Sequence, residues 1–396
     1  MPLPGDDWPK EFVLPDWESN VLSLIRAIMD PARHAGFMER LQIGDPRILV
    51  LLLIDGMNRR EVEAHCEIGD DLRRDFRLTS LAPSGTAPVI TSLATGVAPR
   101  EHGATGWITW CREVGAMILP LPFTYQAGGD LASCGHSPER LFYRGPSAFE
   151  EITERTGREC FQIMPRGVAA SAFTGRMQRG AKVFPFAGLQ HLFETVEWLV
   201  RALAAAKSRR AFIYAYTDAL DQTQHRFGIA DPNTRRAYAE IGRELKKLAL
   251  SLKGQDVGVL ALSDHGFVDS PPEEAVFLHD HPALASTLRL PLSGEARFAY
   301  CHLKPGMEEA FLDYVRNGLS GKFFPIATSE SRICELFGVG PEHREFRERI
   351  GDYILASRGG AAIHDPLANE PLKAFRGLHG SLLEEEMLIP LIVIRP

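Results

Sequence analysis

The ten residues RILVLLLIDG, 47–56, decide the fold. The run from Ile48 to Ile54 is apolar without a break and ends on Asp55 and Gly56. Such a run suits a strand buried on both faces, as in a parallel sheet covered by helices. Two further stretches share the design: AFIYAYTDALD at 211–221 and VGVLALSDHG at 257–266, each apolar and then acidic. A fourth run, MLIPLIVI at 387–394, reads as another strand, and its Pro390 predicts an edge or a bulge. Between these runs lie helical patterns. In TRRAYAEIGRELKKLALSLKG, Tyr238, Ile241, Leu245, Leu248 and Leu252 recur at helical spacing, with Asp231 and Pro232 as start signals and Gly254 as the stop. LQHLFETVEWLVRALAAAK, 189–207, is a second helix. Strands alternating with helices imply an α/β fold with a mostly parallel sheet. Ligands then bind beyond the carboxyl ends of the strands, where Asp55, Asp221, Asp264 and His265 fall.

Residues 268–360 read differently. ARFAYCHL, GMEEAFLDYVRNGL, KFFPIAT, ESRICELFGV and IGDYILAS give a β-α-β-α-β alternation between two core strands. This segment is expected to be a small inserted α+β cap, with 1–267 and 361–396 forming the core. A looser insertion is expected around 108–150.

Bulk properties narrow the function. A net charge of −7 argues against a nucleic-acid polymer as partner. No run of about 18 apolar residues is present, so no membrane span is expected. MPLPGDDWPKEF lacks the basic start and apolar run of a secretory signal. The six scattered cysteines contain no CxxC and read as free thiols, so a cytoplasmic location is expected. A homo-oligomer is compatible with the sequence.

The acids and histidines suggest a metal site. Asp221 and His225 are four apart, so a helical turn after the strand would aim both to one side. Asp264 and His265 are adjacent before a glycine, and His379 lies between glycines in GLHGS. Imidazole with carboxylate suits zinc or manganese. The tract His279-Asp280-His281 has no partner motif and reads as surface or substrate-side.

The stretch APSGTAPVITSLATGVAPREHGATGW, 82–107, raises the question of a nucleophile. Together with LLLIDGM, DALDQTQH, LSDHG and GLHG, it resembles the alkaline phosphatase superfamily, in particular its type I phosphodiesterase/nucleotide pyrophosphatase branch. The resemblance runs from about Arg47 to the C-terminus. It implies an alkaline-phosphatase-like three-layer α/β/α sandwich. In that branch the nucleophilic threonine stands nine residues before the threonine of a TG…P..HG run, which here is Thr95-Gly96 with Pro99 and His102-Gly103. The nucleophile implied is therefore Thr86. The implied ligands are Asp55, Thr86, Asp264 and His265 for one divalent ion, and Asp221, His225 and His379 for the other. Zinc is the expected metal and manganese the alternative.

Independently, Thr86 precedes a helical stretch, and a helix N-terminus favours an anionic phosphate. The plainer alternative is that Thr86 only caps that helix. His102 and Trp107 are candidate substrate-side residues, with a structural role as the alternative for His102 and core packing for Trp107. Arg100, Arg166 and Arg297 could pair with a phosphate.

Two positions depart from the family pattern. Ala87 stands where an aromatic residue usually follows the nucleophile, and Trp107 stands where an asparagine contacts a phosphate oxygen. Both weigh against a nucleotide substrate. Sulfatase and phosphoglycerate mutase chemistries fit poorly, for want of a cysteine near Thr86 and of a serine nucleophile. The expected activity is metal-dependent hydrolysis of a small phosphodiester or pyrophosphate through a phosphothreonine. A phosphomonoesterase is the alternative.

Overall fold

The computed structural model describes residues 8–69, 74–206, 209–319, 321–367 and 375–395. Lys207, the last residue of the second expected helix, and residues 1–7 of the N-terminal reading lie outside the described residues.

A seven-stranded sheet forms the centre. The Asp55 strand, Ile48–Ile54, is in its middle, flanked in parallel by Ala211–Thr217 and Val257–Leu262. Glu159–Pro165 and Ala181–Phe186 extend the parallel part on one side. Leu388–Ile394 and Arg74–Thr79 complete the other side in antiparallel pairings.

Side-chain alternation explains why this sheet has a helical layer on each face. Leu49, Leu51 and Leu53 enter a core shared with the helices Val21–Met29, Thr86–Thr95 and Ala148–Thr156. Ile48, Val50, Leu52 and Ile54 enter a second core shared with Leu189–Ala205 and Pro232–Leu252. All seven positions are buried, so the unbroken apolar run is the sum of two interleaved period-two patterns. Among the described residues no helix is long and apolar enough to cross a membrane, and no disulfide joins the cysteines.

The Pro390 expectation needs correction. Leu388–Ile394 is an internal strand, not an edge. Its pairing with Val257–Leu262 begins only at Leu391, so Pro390 has a strand partner on one side alone, opposite Arg77. The rule against proline in a sheet applies to the side that needs the amide, and here one side is open.

A second sheet, antiparallel, is built from Ser293–Glu295, Phe298–Cys301, Tyr353–Ser357 and Phe323–Ala327 in that spatial order. One face has its own core around Phe311 and Phe323. The other, with Phe298, Tyr300 and Ile354, packs on Leu382 and Met387 of the main body. The first of these strands was not anticipated from sequence. Residues 109–125 form a three-stranded antiparallel sheet, and Ile108 bridges to Gly294, tying the two insertions together.

Candidate active site

The site lies past the carboxyl ends of the three central strands. Asp55 directly follows the first, and its amide still bonds to Thr217 O at 2.9 Å. Gly56 takes a left-handed φ of +78°, and a Cβ there would lie 2.6 Å from the Phe267 ring. The second strand stops at Thr217, and the helix Ala219–Phe227 starts at once. That places Asp221 in its first turn and His225 one turn on, with His225 Nε2 3.4 Å from Asp221 Oδ1. The third strand delivers Asp264 and His265, both fully buried.

Two clusters of ligand-type atoms result. Asp55, Asp264 and His265 form one, and Asp221, His265 and His379 the other. His265 Nε2 is 3.3 Å from Asp55 Oδ1, 3.5 Å from Asp264 Oδ2 and 3.2 Å from Thr86 Oγ1. His379 Nε2 is 3.7 Å from Asp221 Oδ1. The structure thus gathers all seven residues expected as metal ligands: Asp55, Thr86, Asp221, His225, Asp264, His265 and His379.

Hydrogen bonding leaves these groups open for a cation. The Nδ1 of His225 faces Gly377 O at 2.9 Å, that of His265 faces Gly266 O at 3.0 Å, and that of His379 faces Ser84 O at 3.0 Å. A carbonyl accepts only, so each Nδ1 carries a proton and each Nε2 is the ring nitrogen turned toward the carboxylates. The carboxylates are held likewise. Tyr216 OH donates to Asp55 Oδ2 at 2.6 Å, and the Gly56 amide donates to Asp264 Oδ1 at 3.1 Å. The oxygens left over, Asp55 Oδ1, Asp221 Oδ1 and Asp264 Oδ2, are buried without a hydrogen-bond donor. These are the same three atoms that face the imidazoles.

Electrostatics agree with that reading. Burial, then Asp264, then Asp221 raise Asp55 well above the usual carboxylate range. Burial and Asp264 do the same to Asp221. Burial lowers His225 to about 4 and, with His265, lowers His379 well below its ordinary value. Acids that resist ionising beside bases that resist protonation are a donor set short of positive charge. The residues fit divalent cations, which would supply it.

Thr86 opens the helix Thr86–Thr95, but Gly85 is its cap and the helix start has no side-chain cap hydrogen bond. The plainer capping role is therefore not the one Thr86 plays. A cavity of about 530 Å³ opens from Thr86, Asp221, His225 and His379 toward the second sheet, and Trp107 lines it. His102 is different. It is fully buried, with Nε2 3.0 Å from Ser92 Oγ and Nδ1 accepting from the Ala104 amide at 3.0 Å. Burial lowers it to about 3. The substrate-side expectation for His102 is corrected: it fastens the Thr86 helix to the following loop.

The candidate arginines are also occupied elsewhere. Arg297 is fully buried on Glu386, at 2.7 and 3.0 Å. Arg100 pairs with Glu342 at 3.0 Å, and Arg166 is exposed outside the cavity. His281 bonds Tyr314 OH at 2.7 Å, away from the site. One residue was missed: Glu295, 9% exposed, reaches the cavity wall and accepts the Trp107 amide at 2.7 Å.

Residues 49–382 match the family model described as type I phosphodiesterase / nucleotide pyrophosphatase. No curated protein sequence matches the chain. Among solved structures, murine ectonucleotide pyrophosphatase/phosphodiesterase 5 is similar with a TM-score of 0.63 at 15% identity, over 88% of each chain. An inactive threonine-to-alanine form of it, in complex with AMP, gives 0.61 at 15% identity over 87% of each chain. Phosphonoacetate hydrolase from Sinorhizobium meliloti, in complex with phosphonoacetate, gives 0.65 at 17% identity, over 89% of this chain and 91% of that one. At these identities the likeness is one of fold.

Proposed function

Because the chain belongs to the type I phosphodiesterase / nucleotide pyrophosphatase family of phosphoric ester hydrolases, we propose that it cleaves small phosphodiesters with Thr86 as nucleophile at a two-metal site. One observation carries this reading: three donorless carboxylate oxygens each face an imidazole Nε2, and one of those rings, His265, lies 3.2 Å from Thr86 Oγ1. Asp55, Thr86, Asp264 and His265 would hold one divalent ion and Asp221, His225 and His379 the other, with zinc preferred and manganese the alternative. Such ions supply Lewis acidity that activates a hydroxyl and offsets charge on phosphoryl oxygens.

The residues do the rest. Thr86 stands at the first turn of its helix, where amides lack intrahelical partners and an anion is favoured. In the first step the Thr86 Oγ1–phosphorus bond forms as the ester P–O bond opposite it breaks. The hydroxyl proton is lost to solvent, and the alcohol leaves, taking up a proton. In the second step water attacks the phosphothreonine from the vacated side and loses a proton, and the Thr86 oxygen departs and takes one up, which restores the hydroxyl. The threonine-to-alanine form of the murine relative is described as inactive, which supports the same role for Thr86 here. The cavity beyond Thr86 leaves room for a second ester substituent, which favours a diester over a monoester. Residues 268–360 would act as a cap that shapes this space.

The test uses metal-loaded protein on bis(4-nitrophenyl) phosphate and 4-nitrophenyl phosphate. The diester is expected to be cleaved faster. Thr86→Ala should lose roughly a thousandfold or more in kcat, and a quenched wild-type reaction should contain a phosphorylated peptide spanning Thr86. Wild-type turnover by Thr86→Ala would remove Thr86 from the mechanism.

A further inference from the structure

A second cavity, of about 650 Å³, shares no lining residue with the one that opens from Thr86. Arg140, Arg144, Arg176, Arg179 and Glu139 line it. Four guanidinium groups around one space stand out in a chain whose net charge is −7.

Local packing explains why they converge. In the helix Pro138–Leu141, Pro138 and Leu141 are buried, which leaves Glu139 and Arg140 on the outer side. In the helix Ala172–Met177, Phe173 and Met177 enter the core one turn apart, and Arg176 is exposed. The two helices pack together. Arg179 ties the walls to each other. Its Nε donates to Glu150 Oε1 at 3.0 Å, its Nη2 to Gly145 O at 2.8 Å and its Nη1 to Arg176 O at 3.1 Å. Leu141 O accepts from the buried Arg349 at 2.6 Å, which fixes the first helix from beneath. The backbone around the cavity is therefore held in place before any ligand arrives.

The charge of this lining is not answered within the chain. Of the four arginines, Arg179 alone has an ion pair among the described residues, with Glu150 at 3.0 Å. Glu139 pairs with none of them, and its Oε2 is buried without a hydrogen-bond donor. Three unpaired arginines against Glu139 leave two positive charges, more than a monoanion answers. Like charges held this close repel one another and favour an anion between them. Guanidinium forks match phosphate oxygens two at a time. We propose that this cavity is a binding site for a ligand with two linked phosphate groups, separate from the hydrolytic centre.

The experiment titrates methylenediphosphonate, which has no P–O–P bond to hydrolyse, calorimetrically into the full-length protein, metal-loaded and again after chelation. Binding that survives chelation is expected, because the cavity needs no metal. Arg140→Ala with Arg176→Ala should weaken it by about tenfold or more, the scale of lost hydrogen bonds to a charged group. The thermal midpoint and the turnover of bis(4-nitrophenyl) phosphate should stay at the wild-type level, since both side chains are exposed and lie outside the Thr86 cavity. Arg140→Lys with Arg176→Lys keeps the charge, loses the fork and should fall between the two. No binding to chelated protein, or unchanged binding in the alanine variant, overturns the inference and leaves the hydrolase reading untouched. Sulfate bound as tightly as the bisphosphonate also overturns it, as general anion screening. So does tighter binding of a polyglutamate peptide, which would make the cavity a polypeptide contact. ADP bound more tightly than methylenediphosphonate supports the inference with a nucleoside diphosphate as ligand, and equal affinity supports it with a bare diphosphate. Wild-type protein that binds the bisphosphonate but cleaves no ester would sink the hydrolase reading alone.

Discussion

His265 and His379 lie face to face, their ring centroids 3.6 Å apart and their planes within 12° of parallel. Each Nδ1 is fixed to a backbone carbonyl, so both Nε2 atoms are offered toward the carboxylates. Two stacked imidazoles this close oppose a second positive charge, and burial depresses His379 further. The two rings are held in place as donors, and among the described residues His265 is the one shared by both candidate clusters.

Metal removal should therefore loosen the fold. Saturating zinc or manganese is expected to raise the thermal midpoint of chelator-treated protein, because a ligand at a thousand times its Kd adds about 4 kcal/mol. Differential scanning calorimetry with and without metal measures this. An identical midpoint would mean that the clusters do not hold the ion.

Tyr216 positions Asp55, one of the proposed ligands. Its hydroxyl donates to Asp55 Oδ2 at 2.6 Å, which turns the other oxygen inward. Tyr216→Phe should weaken metal affinity by roughly 10- to 100-fold with the fold intact. Competition with a chromophoric chelator gives the affinity directly.

Glu295 predicts a pH dependence of stability. Its folded value of about 8 lies above that of an unfolded glutamate, so the native state holds the proton more tightly. The stability this contributes is complete below the unfolded value and is lost as pH rises through about 8. Glu295→Gln abolishes the titration. The variant's midpoint should gain on wild type between pH 5 and 8 in metal-free buffer. A constant difference across that range would contradict the buried, unpaired carboxyl.

The Arg297–Glu386 pair is buried on both sides. Arg297→Leu strands the carboxylate and should cost about 3–5 kcal/mol in urea unfolding. Changing both residues to apolar ones of similar volume should recover most of the loss, because the pair need not contribute more than such packing.

The strand ends and their acids were legible because buried parallel strands have a strong signature and their carboxyl ends are where ligands go. His225 was legible through its spacing from Asp221 on one helix. Arg297 was not, since sequence offers many carboxylates and only the fold picks Glu386. Glu295 was missed for a related reason. It sits in a three-residue strand with no periodicity, and its partner Trp107 is 188 positions away. That pairing exists only because Ile108 and Gly294 bring the two insertions together.

The interleaving of two cores along Ile48–Ile54 has a consequence for how this chain tolerates change. Swapping one aliphatic residue for another there alters a volume, and cores absorb modest volume changes. Deleting or adding a single residue exchanges every side chain between the two faces at once. It would also rotate Asp55 away from Thr86, since Asp55 continues the same ladder through its bond to Thr217. Length in this strand is therefore more tightly constrained than identity. A library of this protein should recover many aliphatic substitutions at 48–54 and no functional one-residue insertion or deletion.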